Sequence, residues 1–389
     1  TEAKVSFRKY QQLHQNNSTL PVVTLGFTGA LPVGTPSSVP GGTRNIFFGT
    51  ERSRQANILN TKTQDAYFGA NWTLGAHELK FAGDYSANKI SNLFLQDALG
   101  NYVFNCQNSS ATYTYSFGAI NCSTATAAQI EAAVLENFSR GRPTTYAVQA
   151  PLPGRALADA TGVMNLKNYG GAVQDTWTVN PNLTIMYGVR LDKPETNDKP
   201  RANAAAAAPV VAGNPVTGVR QSGGFGLDNS QSTIDGQVLI QPRVGFNYTF
   251  DSARPMQLRG GFGLFQGAAA NVWLINPFQN TGVVTGVVGC GGANAACPPT
   301  GGIFRADPAA QITNLGSPPA SNVDFLQDGL GQPAIWKANL AFEHELPWWG
   351  VVAGIEYLYT KTETGIFYQH LNLGAPTRTG TDGRDLFYT

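Results

Sequence analysis

Apolar and polar residues alternate along this chain in paired runs, and each pair is joined by a short polar turn. In the first pair Ala66, Phe68, Ala70, Trp72 and Leu74 share one phase, while Asp65, Asn71 and Thr73 occupy the other. After Gly75 to His77 the pattern resumes, with Leu79, Phe81, Tyr85 and Ala87 in the apolar phase and Lys80, Asp84 and Ser86 opposite. The figure recurs at Tyr169, Gly171, Val173, Trp177 and Val179, which turn through Asn180, Pro181 and Asn182 into Leu183, Ile185, Tyr187, Val189 and Leu191. Val238 to Phe250 with Met256 to Leu264 make a third pair, and Trp336 to Phe342 with Val351 to Tyr359 a fourth. Period two is the signature of a strand with one apolar face, so each pair predicts an antiparallel hairpin.

Between the hairpins lie long stretches without this alternation, at about 98–163, 194–235 and 267–332, with another at 11–45. Such lengths are uncommon as loops of compact domains. Short turns on one rim and long loops on the other are the habit of outer-membrane barrels, whose strands need about 9–11 residues to cross the bilayer. With one more strand around Ala3 to Tyr10, the pattern predicts nine strands of an all-β, antiparallel, up-and-down transmembrane β-barrel with short periplasmic turns and long extracellular loops.

Charge placement fits that reading. Asp65, Glu78, Lys80, Asp84, Arg190, Asp192, Arg243, Arg259, Lys337, Glu343 and Glu356 all fall opposite the apolar phase, and Asp175 alone violates it. An ionised side chain facing lipid costs up to about 2–4 kcal/mol at the midplane and little at the interface. Asp175 stands two residues from Trp177 and close to a turn, where the cost is small. Lys80, Asp84, Arg190, Arg243, Arg259, Lys337 and Glu356 are therefore candidates to face the lumen, either as salt bridges to a plug or neighbouring strands or in contact with a solute. Trp72, Trp177, Phe250, Trp348 and Trp349 gather beside the short turns, as a periplasmic aromatic girdle would; plugging the end of a soluble sandwich is the other reading.

Composition agrees. Charged residues are 13% of 389, against about 25% in ordinary globular chains, while Gly reaches 44 and Pro 23. A net charge of +1 and the absence of a basic run give no footprint for nucleic acid. No stretch is apolar enough for a spanning helix. Cys106 with Cys122 and Cys290 with Cys297 form two local pairs that suit disulfides pinning loops in an oxidising compartment; neither has CxxC spacing or a neighbouring His, so no metal site is expected. His14, His77, His344 and His370 are scattered, His77 and His344 at predicted turns, and no GxSxG, HExxH or Walker-type run occurs. The runs GGFG at 223–226 and RGGFG at 259–263 lead into no helix, so phosphate binding is not expected. Neither enzymatic chemistry nor a cofactor is expected. Ligand recognition is assigned to loops carried on a rigid scaffold: Tyr113, Tyr115 and Phe117 around the first cysteine pair, and Trp273, Phe278 and Phe304 around the second, either as a binding surface or buried between loops over the mouth. The alanine run Ala204 to Ala208 reads as flexible loop, and Pro242 interrupts a strand, where a bulge would serve.

Several segments in order carry a family resemblance. QDTWTVNPNLTIMYGVRLD at 174–192, QPRVGFNYTF at 241–250 and LRGGFGLFQG at 258–267 resemble the strand, turn and strand units of TonB-dependent receptors. FGTERSRQANILNT at 48–61 and TLGAHELKFAGDYSANKISNLFLQD at 73–97 resemble the Oar-like group among them. The resemblance implies a 22-strand barrel in the bacterial outer membrane, a plug domain filling the lumen, and a segment contacting TonB. No plug is recognisable here, the opening TEAKVSFRKY lacks a signal-peptide layout, and the closing GRDLFYT lacks the aromatic signature of a final strand. Residues 1–389 are thus expected to be part of one barrel domain, from its middle to late portion, without the plug or the barrel-closing strands. Implied partners are outer-membrane lipid, the plug, the TonB complex and an extracellular ligand. Energy-coupled uptake of that ligand is the leading expectation. A surface-interaction or secretion barrel on the same scaffold, and a secreted carbohydrate-binding β-protein, are its rivals.

Overall fold

The computed structural model describes residues 1–16, 18–28, 43–107, 112–213, 221–230, 234–292, 295–298, 301–315, 321–373 and 376–387. Its frame is a nine-stranded antiparallel sheet in which each strand pairs with the next along the chain. We number these wall strands β1 (Glu2–Leu13), β2 (Ala56–Leu74), β3 (His77–Leu95), β4 (Gly162–Asn180), β5 (Leu183–Glu195), β6 (Leu239–Thr249), β7 (Met256–Gln266), β8 (Ala334–Glu345) and β9 (Val352–Thr364). The sheet is open, with β1 and β9 each paired on one side only among the described residues. The strand expected at Ala3 to Tyr10 is β1, and the four predicted hairpins are β2 with β3, β4 with β5, β6 with β7, and β8 with β9.

The short turns lie on one rim and are built by their sequences. Gly75 takes a left-handed φ of +59° between the paired residues Leu74 and His77. In the next turn the Asn180 side-chain oxygen accepts from the backbone N–H of Asn182 and of Leu183, both at 2.9 Å, the local bond that lets Asn close a turn. Pro242 needs no bulge. It pairs with Val189 of β5, whereas pairing between β6 and β7 begins one residue later at Arg243 and Gly263, so its missing N–H falls beyond the end of that ladder.

The two faces of the wall differ as the alternation requires. Phe81, Val173, Val189, Val244, Phe246 and Phe262 stand on one face, each between about a third and a half exposed, with no protein covering them. The opposite face carries the charged and amide side chains. Packing against hydrocarbon satisfies the first face, and the strand pairing takes up the backbone groups where the wall crosses it.

The long segments on the other rim are more ordered than their lack of long-range alternation suggests. Thr285–Cys290, Thr145–Pro151, Asn101–Phe104, Val22–Thr28 and Thr43–Phe48 form, in that order, a second five-stranded sheet, with one parallel pairing between Val22–Thr28 and Asn101–Phe104. Helix α1 (Ala127–Ser139) packs on it, started by a capping box between Thr126 and Gln129. Tyr102, Phe104, Ala133, Val134 and Tyr146 are wholly buried there, and Phe138 and Phe304 meet Phe104 edge-on. The stretches at 98–163 and 267–332 therefore contribute to a cap with its own core. Helix α2 (Asn271–Gln279) sits closer to the wall. The alanine run also departs from expectation: Ala204–Ala207 is a short helix capped by Asn203. Of the closing GRDLFYT, Tyr388 and Thr389 lie outside the described residues.

Two outcomes follow. Phe246→Arg places a charge on the apolar face and should lower unfolding stability in lipid vesicles by about 2–4 kcal/mol, whereas Asn247→Arg, on the other face, should change it little; denaturant titration in vesicles compares them. Burial pushes the Tyr102 and Tyr146 hydroxyls above their ordinary value of 10, because a phenolate has no water there. The protonated phenols stabilise the cap fully below that value, and the stabilisation is lost as pH rises above it. Near-ultraviolet circular dichroism should show the cap loosening above pH 10, and a Tyr102→Phe, Tyr146→Phe variant should lack that transition.

Candidate functional site

A connected network occupies the polar face where β3, β4, β5 and β6 meet. The Arg190 guanidinium grips Asp84 with two parallel bonds, Nη1 to Oδ1 at 2.7 Å and Nη2 to Oδ2 at 3.0 Å. Its Nε donates to Asp192 at 2.7 Å, so one arginine is shared by two carboxylates. Gln241, 1% exposed, donates from Nε2 to Asp192 and accepts through Oε1 from Arg243 at 3.2 Å and from the Gln266 backbone N–H at 2.9 Å. The Arg243 guanidinium lies 4.4 Å from the Phe265 ring centroid. Fork geometry and shared partners make this a fixed cluster, unlike a loose surface pair.

The network closes because β4 has no side chain at its centre. Gly170 pairs with Asp84 on one side and Asp192 on the other, and a Cβ there would collide with the Arg190 Nη2 and both Asp84 carboxylate oxygens. The arginine crosses β4 over this glycine.

The other charged candidates divide into paired and unpaired groups. Arg259 bridges to Glu343 at 2.9 Å, and Glu356 accepts from Asn339 at 3.1 Å. Asp65 links Ser6 of β1 to Ser86 of β3. Lys80 and Lys337 have no ion pair among the described residues. Register brings them together with Arg243: Lys80, Gln174, Gly188, Arg243, Gly263 and Lys337 stand side by side across six adjacent strands. At about 4.8 Å per strand, this row sets three cations along a polar path, with bare glycines flanking the central one.

Above this path a helix covers the wall. Helix α2 lays Leu274 and Ile275 on Ile90 of β3 and on Met164 and Leu166 of β4, all at most 4% exposed. Ile90, Met164 and Leu166 share the phase of the charged residues, so α2 covers the polar face of the wall near its upper end. The Asn92 amide donates to Gln279 at 2.8 Å and ties the end of α2 to β3.

The loop aromatics have varied surroundings. Tyr115 is buried, and its hydroxyl donates to Cys106 Sγ at 3.9 Å and accepts from the Gln107 backbone N–H at 2.8 Å and the Asn137 amide at 3.2 Å. Tyr113 packs against the cap core and accepts from Arg142, while Phe117 stacks on Tyr115 and is 44% exposed. Phe278, on α2, is partly buried against the core under that helix, and Trp273 is exposed and meets Tyr368 edge-on. Disulfides join Cys106 to Cys122 and Cys290 to Cys297, at the edges of the cap core. Glu136 of α1, drawn below its ordinary range, is opposed by burial but outweighed by two bonds from Ser116 and the Arg140 and Arg142 charges. Among the described residues no cluster of His, Cys, Asp or Glu could hold a metal ion.

At the short-turn rim Trp72, Trp177, Trp348 and Trp349 are exposed on the wall or its turns, and Phe250 packs edge-on with Tyr248 and Phe342. His77 is not a free turn residue. It is the first residue of β3, stacked on Trp177, and its Nδ1 lies 2.7 Å from Asp175. Partners thus hold Asp175 on the apolar face, a contact that spacing along single strands could not reveal.

Sequence comparison places these features in context. The profile of a family described as outer membrane beta barrel domain matches residues 1–387. No curated protein matches the chain. Among solved structures, a copper transporter, OprC, aligns over 89% of this chain with 10% identity and a TM-score of 0.32; the chain spans 37% of that transporter's length.

Gly170→Val should break the network and lower stability by about 1–3 kcal/mol through overpacking, whereas Gly171→Val, whose Cβ would meet nothing within 4 Å, should be tolerated. Denaturant midpoints of the two variants check this.

Proposed function

The chain belongs to the outer-membrane β-barrel domain family and resides in the bacterial outer membrane, and from that premise we propose that it is the wall and mouth of a TonB-dependent receptor that takes up an extracellular ligand. The observation that carries the reading is the combination of a polar face with fixed ionic networks and an upper end covered by α2. A passage covered in this way suits a transporter that opens on a supply of energy better than a pore for passive diffusion. In this reading the remaining strands of a 22-strand barrel pair with the open edges of β1 and β9, and a plug domain docks on the row of Lys80, Arg243 and Lys337. TonB then delivers the energy through the plug, the cap loops meet the ligand, and the chain performs no chemistry on it and needs no cofactor. The resemblance to the Oar-like group supports membership of that branch.

A second reading is favoured by the cap itself. A disulfide-linked core of this size on the outer rim also suits a surface protein that engages a macromolecule, or a secretion conduit.

Cells carrying the full-length gene, and cells lacking it, would be compared for compounds depleted from the medium. The expected result is a compound whose depletion requires the gene and stops when the proton-motive force is collapsed. Gene-dependent depletion that persists with uncoupler would overturn energy coupling, and surface binding without depletion would favour the second reading.

A further inference from the structure

Asp175 is an acid on the face that meets hydrocarbon, and the uptake reading gives it no task. Its carboxylate is 6% exposed and is held by two groups from neighbouring strands. The Tyr187 hydroxyl of β5 donates to Oδ2 at 2.7 Å, and His77 Nδ1 of β3 lies 2.7 Å from the same oxygen. An ionised carboxylate only accepts, so Nδ1 carries a proton. Nε2 has no hydrogen-bond partner among the described residues, and the side chain is 39% exposed. Its other flank rests on Trp177, with centroids 5.6 Å apart and planes 10° from parallel.

Register sets two more donors beside it. Leu74, His77, Trp177 and Ile185 form one row of the apolar face, and Trp72, Leu79, Asp175 and Tyr187 form the row next to it. Trp72 and Trp177 therefore border His77, and neither indole N–H has a partner among the described residues. All of this lies beside the Gly75 turn, on the short-turn rim that faces the periplasm in outer-membrane barrels. That is the depth of phospholipid headgroups, where amphipathic rings settle.

The charge balance points to the ligand. A carboxylate on this face is costly unless partnered, and an anion placed at Nε2 would be met by the imidazolium form of His77, paired with the Asp175 carboxylate. In that form Nε2–H is a charged donor, with the two indole N–H donors of Trp72 and Trp177 beside it in register. The Asp175 carboxylate is buried, and its Oδ2 is taken by Tyr187 and His77. Such a seat would accept a singly charged phosphodiester.

We propose that Trp72, His77 and Trp177 bind the phosphate of a phospholipid in the periplasmic leaflet, with Asp175 and Tyr187 as positioning residues that hold the imidazole. The lipid would lie with its acyl chains along Leu79 and Phe81 on the apolar face. The proposal does not depend on what the barrel transports.

The full chain, purified in detergent and washed, would be offered phosphatidylethanolamine in mixed micelles and retained lipid counted by native mass spectrometry. Wild type is expected to keep lipid that His77→Ala and Asp175→Asn lose by about tenfold, the worth of one charge-assisted hydrogen bond. His77→Lys should recover much of it, and Trp348→Ala, on another short turn, should bind as wild type. Heat-modified gel mobility reports whether each variant is folded, and the His77→Lys comparison stands if His77→Ala is not. Equal retention in wild type, His77→Ala and Asp175→Asn would overturn the proposal. So would displacement of the lipid by inorganic phosphate, which would make this a site for a free anion.

Discussion

Hydrocarbon offers nothing to a hydrogen-bond donor, acceptor or ion, and that single fact organises the molecule. It forces the backbone into a sheet whose interior strands are paired on both sides, and it forces side chains to sort by face at every second residue. The sorting then concentrates on the other face everything that hydrocarbon rejects. Carboxylates and guanidinium groups that might have been dispersed across a soluble surface are brought within reach of each other across neighbouring strands. The cluster around Arg190 follows from this crowding, and it needs a glycine on the intervening strand to let one arginine reach two acids.

Much of the wall was legible because its information is local and repeated. Alternation assigns Phe81, Val173 and Phe246 to one face without knowledge of any partner, and turn residues such as Gly75 and Asn180 mark the hairpins. The partners of the charges were not legible. That Lys80, Arg243 and Lys337 share a row depends on register accumulated over several strands, which no one strand encodes. Asp175 likewise read as a tolerated exception near a turn, whereas its acceptability rests on Tyr187 and His77, 12 and 98 residues away in the chain.

The cap shows a different limit. Tyr102 and Phe104, and Tyr146, Val148 and Ala150, do alternate in burial. Their runs are only four and seven residues long and are embedded in Gly, Asn and Ser, so the signal was too short to separate from loop. The neighbour that completes Asn101–Phe104 is Val22–Thr28, contributed from far away in sequence and running parallel to it. A core assembled from three separate loops is a property of their meeting, held by the two disulfides and the Tyr102, Tyr146 and Phe104 ring stack.

Three successive strands, β2, β3 and β4, are 19 residues long, twice what a crossing requires. At about 3.3 Å per residue and a tilt near 40°, they rise roughly 45 Å, some 20 Å beyond an apolar band of about 25 Å. This side of the barrel therefore stands as a parapet above the lipid headgroups, and the cap it supports is lifted to the level of the surface sugars. Whatever comes to the mouth is met outside the membrane before it approaches the pore.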